Sequence, residues 1–416
     1  MQAEIIAVGA ELLTPYRQDT NSLFLTDRLN RMGIEVTRKT IVGDDRKQIA
    51  GTFAEALRRA ELVISIGGLG PTEDDQTREA AAEALGRRLR RDEAVLREIQ
   101  ERFRRYGRAM APVNERQALV PEGAEPLPNP NGTAPGLWIE ADGRLLVLLP
   151  GPPRELMPMF LGQVEPRLRE RAGDRRLLTR ELRTTGLPEA DVEQLIAPIY
   201  TRYEGVQTTL LAAPGEVQIH LRAWTRQPEQ AARTLDELVE RITLALGRHV
   251  FTTQGEALEE VVARLLNAHH ATLALAESIT GGLIAQRLTS IPGSSSYLVG
   301  GIVCYSNEVK TAWVGVPGEL IRQKGAVSAE VALALAQQIR ERSGAALGLG
   351  ITGIAGPGGG TAEKPVGTVF VALSDGRRAL ERSAHFPGDR ERIRWQASQL
   401  ALDLIRRYFQ FPAGQH

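Results

Sequence analysis

The chain has 416 residues, too many for one ordinary domain and enough for roughly two to four, each able to bury a core. Apolar content of 42% and charged content of 25% are those of a globular protein, and 51 basic side chains balance 51 acidic ones. That balance argues against obligate nucleic-acid binding, and no apolar run approaches membrane-span length.

The opening segment "MQAEIIAVGAELL" carries Glu4 and Glu11 inside its apolar run and has no basic region, so it is not read as a signal peptide. The lone cysteine, Cys304, precludes an intrachain disulfide framework and fits a reducing, cytoplasmic setting. Residues 3–66 alternate strand and helix, from "EIIAVG" to "ELVISIGG", a pattern that predicts a parallel sheet covered on both faces. Further helical patterns follow, then "GLWIEADGRLLVLLPGPP", which predicts a hairpin turning at Asp142-Gly143. The charged stretch "EPRLRERAGDRRLLTREL" marks a boundary, giving a first domain of residues 1–165. Residues 166–250 predict a small α+β unit with an antiparallel strand pair and a long helix, "PEQAARTLDELVERITLAL". Residues 251–416 return to α/β alternation and end on an amphipathic helix.

Two places combine glycine with chemistry-bearing side chains. In "SIGGLGPTEDDQT", Gly67, Gly68 and Gly70 permit close approach of a phosphate, Thr72 follows, and Asp74 and Asp75 stand where a hard divalent cation can bridge phosphate oxygens. The alternative is that both acids merely complement a helix dipole. Asp19 in "QDTN" and Asp44 in "VGDD" fall at element ends in the same block. In the last block "AESITGG" places Ser278 and Thr280 at a strand-to-helix turn, where backbone N–H groups can hold an oxyanion; either residue can equally be an N-cap. "GGIVCYSNEVK" ends in Tyr305 and Lys310, and "GITGIAGPGGGTAEKPVG" is a strand running into a glycine-rich loop. Of the 51 basic residues only 5 are Lys, so Lys310 breaks the chain's habit of writing positive charge as Arg. Lysine, unlike arginine, can lose its proton near neutral pH.

Taken together, "AESITGG", "GGIVCYSNEVK", "GITGIAGPGGG", "KPVG" and "FPGDR" resemble the nicotinamide mononucleotide deamidase domain at the C-terminus of the CinA (competence/damage-inducible) family. "GGLGPTEDDQT", "PNGTAPG" and "LPGPPREL" resemble that family's N-terminal domain, of the MoaB/MogA molybdopterin-binding fold. The resemblance implies a three-layer α/β/α domain, a small KH-like α+β domain and a C-terminal α/β domain. It also implies two hydrolytic activities: deamidation of nicotinamide mononucleotide, and metal-dependent cleavage of ADP-ribose to AMP and ribose 5-phosphate. By the same resemblance Ser278 is the nucleophile, Lys310 its base and Tyr305 a polar neighbour. Thr280, Gly281, Gly282, Ser295, Thr352, Gly353 and Arg390 form the nucleotide site. Asn21 joins the glycine loop at the other site, where Asp19, Asp44, Asp74 and Asp75 hold a divalent metal. The deamidase needs none, and a homodimer is expected. Ile279 replaces a common Cys and Ala10 a usual polar residue.

The residues themselves agree with that chemistry. Amide hydrolysis needs an activated nucleophile, a stabilised oxyanion and a proton for the departing amine. All six His lie outside these motifs, which leaves a Ser-Lys pair whose lysine must be depressed by burial or by a neighbouring cation such as Arg390. The middle block lacks a G-x-x-G tetrapeptide, so it reads as a spacer or dimerisation module rather than a nucleic-acid reader. Rival readings are a molybdopterin-handling first domain and a competence or DNA-damage interaction protein.

Overall fold

The structure, a computed structural model, describes residues 1–411. The chain forms two compact units: Met1–Leu178 with Trp224–Pro228, and Thr179–Ala223 with Glu229 onwards. The first unit is built on a six-stranded sheet. Its strands Gln2–Val8, Glu35–Val42, Leu62–Ile66 and Arg144–Leu149 run parallel, with Gly136–Ala141 and Ala124–Leu127 added antiparallel. Successive strand residues face opposite sides, so two cores form. Ile5, Ile64 and Val147 pack against Leu25, Leu29 and Phe160. Ile6, Val63 and Leu146 pack against Ile49, Phe53 and Ala80. The predicted hairpin is present: Ala141 pairs with Arg144 across Asp142 and Gly143, whose φ angles of 48° and 74° match the twist of the flanking strands.

The charged boundary stretch divides into a helix, Glu165–Arg171, and a strand, Arg176–Thr185. Glu165 is buried, held by Arg28 at 2.6 Å and Arg169 at 2.5 Å, so part of that charge serves packing. The strand belongs to a four-stranded sheet with Val206–Ala213, Glu216–Thr225 and Val250–Thr252, and the helices Glu189–Tyr200 and Pro228–Leu246 lie between these strands in the chain.

The last domain carries a five-stranded sheet in the order Leu298–Val303, Leu273–Glu277, Leu347–Gly353, Thr368–Ser374, Ala379–His385. The first three strands are parallel and the last two antiparallel. Leu273, Leu275 and Ile351 face the helices Leu258–Ala268 and Arg390–Gln410, while Ala274 and Ala276 face Ala329–Ser343. Every parallel strand therefore ends at one edge, where residues 278, 304 and 354 leave the sheet, the usual location of ligand sites in open α/β sheets.

Candidate active sites

Strand register brings the C-terminal motifs together. Glu277 pairs with Val303 on one side and with Ile351 on the other, so Ser278, Cys304 and Thr352 occupy neighbouring strand ends. The Cys304 amide donates to Glu277 O at 2.8 Å and the Ser278 amide to Ile351 O at 3.1 Å, fixing that alignment. Lys310 lies on the short helical segment after Tyr305 and folds back, its Nζ donating to Tyr305 O at 3.0 Å. It is only 2% exposed, and burial pulls its pKa below the ordinary lysine range against the raising influence of Cys304, Glu308 and Tyr305. Depression thus comes from desolvation, not from Arg390. Burial also pushes the Cys304 thiol up to about 11, so it is protonated at neutral pH.

The turn that carries Ser278 is built differently from either sequence expectation. The helix Leu283–Thr289 is capped by neither Ser278 nor Thr280. Instead the Glu277 carboxylate, 1% exposed, accepts from the amides of Gly282 (3.0 Å), Ile284 (3.1 Å) and Ala285 (2.8 Å). The helix-start donors are therefore occupied, and the amides of Ile279 and Thr280 are the ones without a partner among the described residues. Ser278 is 7% exposed, and its hydroxyl has no hydrogen-bond partner among the described residues, Lys310 included. The Thr280 hydroxyl is buried and without a partner among the described residues, while its carbonyl accepts from Arg394 at 2.7 Å. Gly281 and Gly282 adopt φ of 59° and 92°, which this turn requires. Arg390 spans the outer side, donating to Tyr305 Oη at 2.6 Å and Gly356 O at 2.8 Å. Thr352 is buried and donates to Ala326 O at 2.8 Å. Gly353 closes the same strand. Ser295 is not brought to this edge: it lies on the turn before Leu298, at the opposite end of its strand.

In the first unit a cleft of about 660 Å³ is lined by Gly67, Gly68 and Gly70 together with Asp44, Asp74 and Asp75. The "PNGTAPG" and "LPGPPREL" motifs meet there, contributing Gly132, Thr133, Gly151 and Glu155. Gly67 and Gly68 have φ of 97° and 66°, and a Cβ on them would fall 2.4 Å from Val8 O and 2.1 Å from Thr77 Oγ1. Asp44 accepts from the Ala10 amide at 2.9 Å, and Asp75 from the Thr72 amide at 2.9 Å. Thr72 itself is spent on this turn and does not line the cleft. Asn21 reaches the wall from behind, donating to Gly151 O at 2.7 Å, with its own Oδ1 buried and without a partner among the described residues. Asp19 does not line the cleft: its carboxylate accepts from the amide and hydroxyl of Ser22 at the start of a helix.

Three matches to known families partition the chain: residues 4–170 to a probable molybdopterin binding domain, 179–252 to the damage-inducible protein CinA KH domain, and 255–409 to the CinA C-terminal domain. A CinA-like protein of Koribacter versatilis is 50% identical over 413 residues, covering 98% of this chain and 99% of that protein. The chain belongs to the CinA family. A putative competence-damage inducible protein of Moorella thermoacetica is 45% identical over 410 residues, with 98% of each chain covered. Among solved structures, CinA from Thermoplasma acidophilum is 37% identical, covering 40% of this chain and 98% of that one, with a TM-score of 0.38.

Within this CinA chain several residues that hold the motif backbone in place escaped sequence reasoning. Glu277 is one, since a carboxylate closing an apolar strand gives no sign of the three amides it holds. Arg78 and Arg394 are others, each holding a motif carbonyl from outside the motif. Among the described residues no three His, Cys, Asp or Glu side chains stand together as a metal cage. Carboxylates spread along one cleft instead fit a hard cation of the magnesium kind, which takes one or two of them and completes its shell from phosphate and water.

Proposed function

We propose that this CinA chain is a bifunctional hydrolase of pyridine-nucleotide breakdown products. The C-terminal site deamidates nicotinamide mononucleotide: carboxamide and water give carboxylate and ammonia. Ser278 Oγ attacks the carboxamide carbon as neutral Lys310 accepts its proton, and the same proton leaves with ammonia. Water then cleaves the acyl-serine. The amides of Ile279 and Thr280 are the candidates for holding the oxyanion. The observation that carries this reading is the burial of Lys310 with depressed pKa at the strand edge that also carries Ser278. The reading needs Nζ to leave Tyr305 O and turn to Ser278 when substrate binds.

The N-terminal cleft cleaves the diphosphate of ADP-ribose. A divalent metal held by Asp44, Asp74 or Asp75 would neutralise the diphosphate and activate water. The likeness of residues 4–170 to a molybdopterin binding domain supports a second reading, a pterin phosphate in the same cleft. The purified chain should release ammonia from nicotinamide mononucleotide with chelator present, and AMP from ADP-ribose only with metal added. Reversible loss of ammonia release on chelation would refute the Ser-Lys chemistry. Binding of molybdopterin with no AMP produced would favour the pterin reading.

A further inference from the structure

The end of the final helix gathers the guanidinium groups of Arg382, Arg406 and Arg407 around one carboxylate. Arg406 Nη2 donates to Asp403 Oδ1 at 2.7 Å, and Arg407 Nε to Asp403 Oδ2 at 2.6 Å; both arginines are buried. Arg406 spends its other donors on Arg248 O, Val250 O and Gln410 Oε1. Arg407 Nη1 and Nη2 have no hydrogen-bond partner among the described residues. Arg382 comes from the edge strand Ala379–His385, on the side that carries Leu380 into the core. It is half-buried and has neither a hydrogen bond nor an ion pair among the described residues. Burial, Arg407 and Arg248 pull its pKa below the ordinary arginine value, against Asp403 alone. The negative end of the helix dipole offsets part of this charge. Buried guanidinium donors still remain costly unless an anion meets them.

The positive charge meets solvent in front of Gly186, which follows the strand Arg176–Thr185 and is exposed, with φ of 81°. A Cβ on this glycine would stand 3.5 Å from His249 Nδ1 and 3.8 Å from Arg407 Nη2. Imidazole and guanidinium thus flank one small space that only a missing side chain leaves open. His249 donates Nδ1–H to Thr185 O at 3.1 Å, which fixes its ring there. Burial first, then Arg407 and Arg248, hold its pKa below the ordinary histidine value, while Thr185 O and Asp403 act against them. The helix Glu189–Tyr200 starts just beyond, with Pro188 as N-cap and no side chain capping it. Its first-turn acids, Glu189 and Asp191, are exposed and bonded to neither Arg382 nor Arg407.

We propose that the seam between the KH-like strands and the C-terminal domain binds a dianionic phosphate group, seated before Gly186, held by Arg407 and Arg382 and flanked by His249. Guanidinium suits that ligand because its planar set of N–H donors matches phosphate oxygens in pairs. The site is separate from the deamidase edge. Arg390 and Arg407 stand on one helix, 17 residues apart, hence about 25 Å along its axis. Occupied, the site ties the end of the strand Arg176–Thr185 to the helix whose other end carries Arg390.

The test uses the full chain, inorganic phosphate at roughly 10 mM as probe, and chloride at matched ionic strength as control. Phosphate should slow hydrogen exchange in peptides covering residues 184–188 and 247–251. It should also move the His249 imidazole resonance, because a neighbouring anion raises that pKa. Both readouts are local, so phosphate held elsewhere on the chain does not register. Arg407→Met should need roughly tenfold or more phosphate to reach the midpoint of the His249 shift, and Arg407→Lys should recover part of that loss. Arg382→Met should also weaken binding, yet unfold no earlier than the native chain in phosphate-free buffer, since no bond is removed. Ribose 5-phosphate run in parallel identifies the bearer of the group: tighter binding than inorganic phosphate points to a sugar phosphate, weaker binding to the free ion. An equal effect of chloride, unchanged exchange and resonance with phosphate present, or an unaltered midpoint in a folded Arg407→Met chain each overturns the site. The first two outcomes are read on the unmodified chain and decide the matter even if Arg407→Met fails to fold.

Discussion

Lys310 is buried with one backbone carbonyl as its partner, so its charged form is the disfavoured one. Between its depressed pKa and the ordinary value of 10.5 the unfolded chain binds a proton that the folded chain has lost, and stability rises with pH through that window. Below the depressed pKa the burial penalty is complete. Lys310→Met should therefore be more stable than the native chain at neutral pH, by roughly 1–3 kcal/mol, with the gain vanishing as pH nears the ordinary lysine range. Thermal unfolding across pH measures it; a destabilised Met variant would mean that the ammonium is better satisfied than this geometry allows. Lys310→Arg separates charge from basicity and should cost roughly 10²–10⁴-fold in ammonia release. The native rate should also fall as pH drops through the depressed pKa. The residue was legible in the sequence because it broke a compositional habit. Glu277 was not: a carboxylate at a strand end reads the same whether it faces water or three buried amides.

At the scale of elements, the strand Leu347–Gly353 shows what glycines do besides making loops. A Cβ at Gly348 would lie 2.1 Å from Ala336 O, and one at Gly350 2.4 Å from Ala332 O. Both spaces belong to the backbone of the helix Ala329–Ser343, which rests directly on the strand. Gly350→Ala must push that helix outward, and should destabilise by roughly 1–3 kcal/mol. Gly358→Ala is the control, since nothing lies within 4 Å of its added Cβ. Urea unfolding of both variants measures the difference; equal midpoints would show that helix and strand can part freely. In the sequence "GITGIAGPGGG" reads as an apolar strand running into a glycine-rich loop. That reading does not show that Gly350 serves close packing against a helix, or that Gly353 still belongs to the strand and the loop begins only after it, because both depend on what lies against the sheet. The alternation of strand and helix, by contrast, was readable because each strand's apolar pattern is local.

Across the whole molecule, the KH-like strands and the C-terminal domain share one compact unit, so a cut at residue 250 runs through a packed body. Arg406 is fully buried on the final helix, donating to Arg248 O at 2.7 Å and Val250 O at 3.4 Å, with Asp403 as its counter-ion at 2.7 Å. Gln399 on the same helix donates to Glu216 at 3.4 Å and accepts from Arg287 at 2.8 Å. Arg287 lies on the helix that begins at the Ser278 turn. Apart from the local Arg406–Asp403 pair, none of these partnerships was legible in the sequence, because their members are more than a hundred residues apart and lie outside every motif. They set the outcome of truncation. A fragment of residues 179–416 keeps them all, whereas 251–416 leaves Arg406 without two carbonyls and Gln399 without Glu216. Hydrogen bonds to a buried charge contribute roughly 1.5–3 kcal/mol each, so the shorter fragment should unfold several degrees below the longer one. Ammonia release should survive in both well below their midpoints, since Ser278, Lys310 and their supports Glu277 and Arg394 are retained. Equal midpoints would make the middle domain a passive spacer; loss of activity in the longer fragment would mean that residues before 179 take part in the deamidation itself.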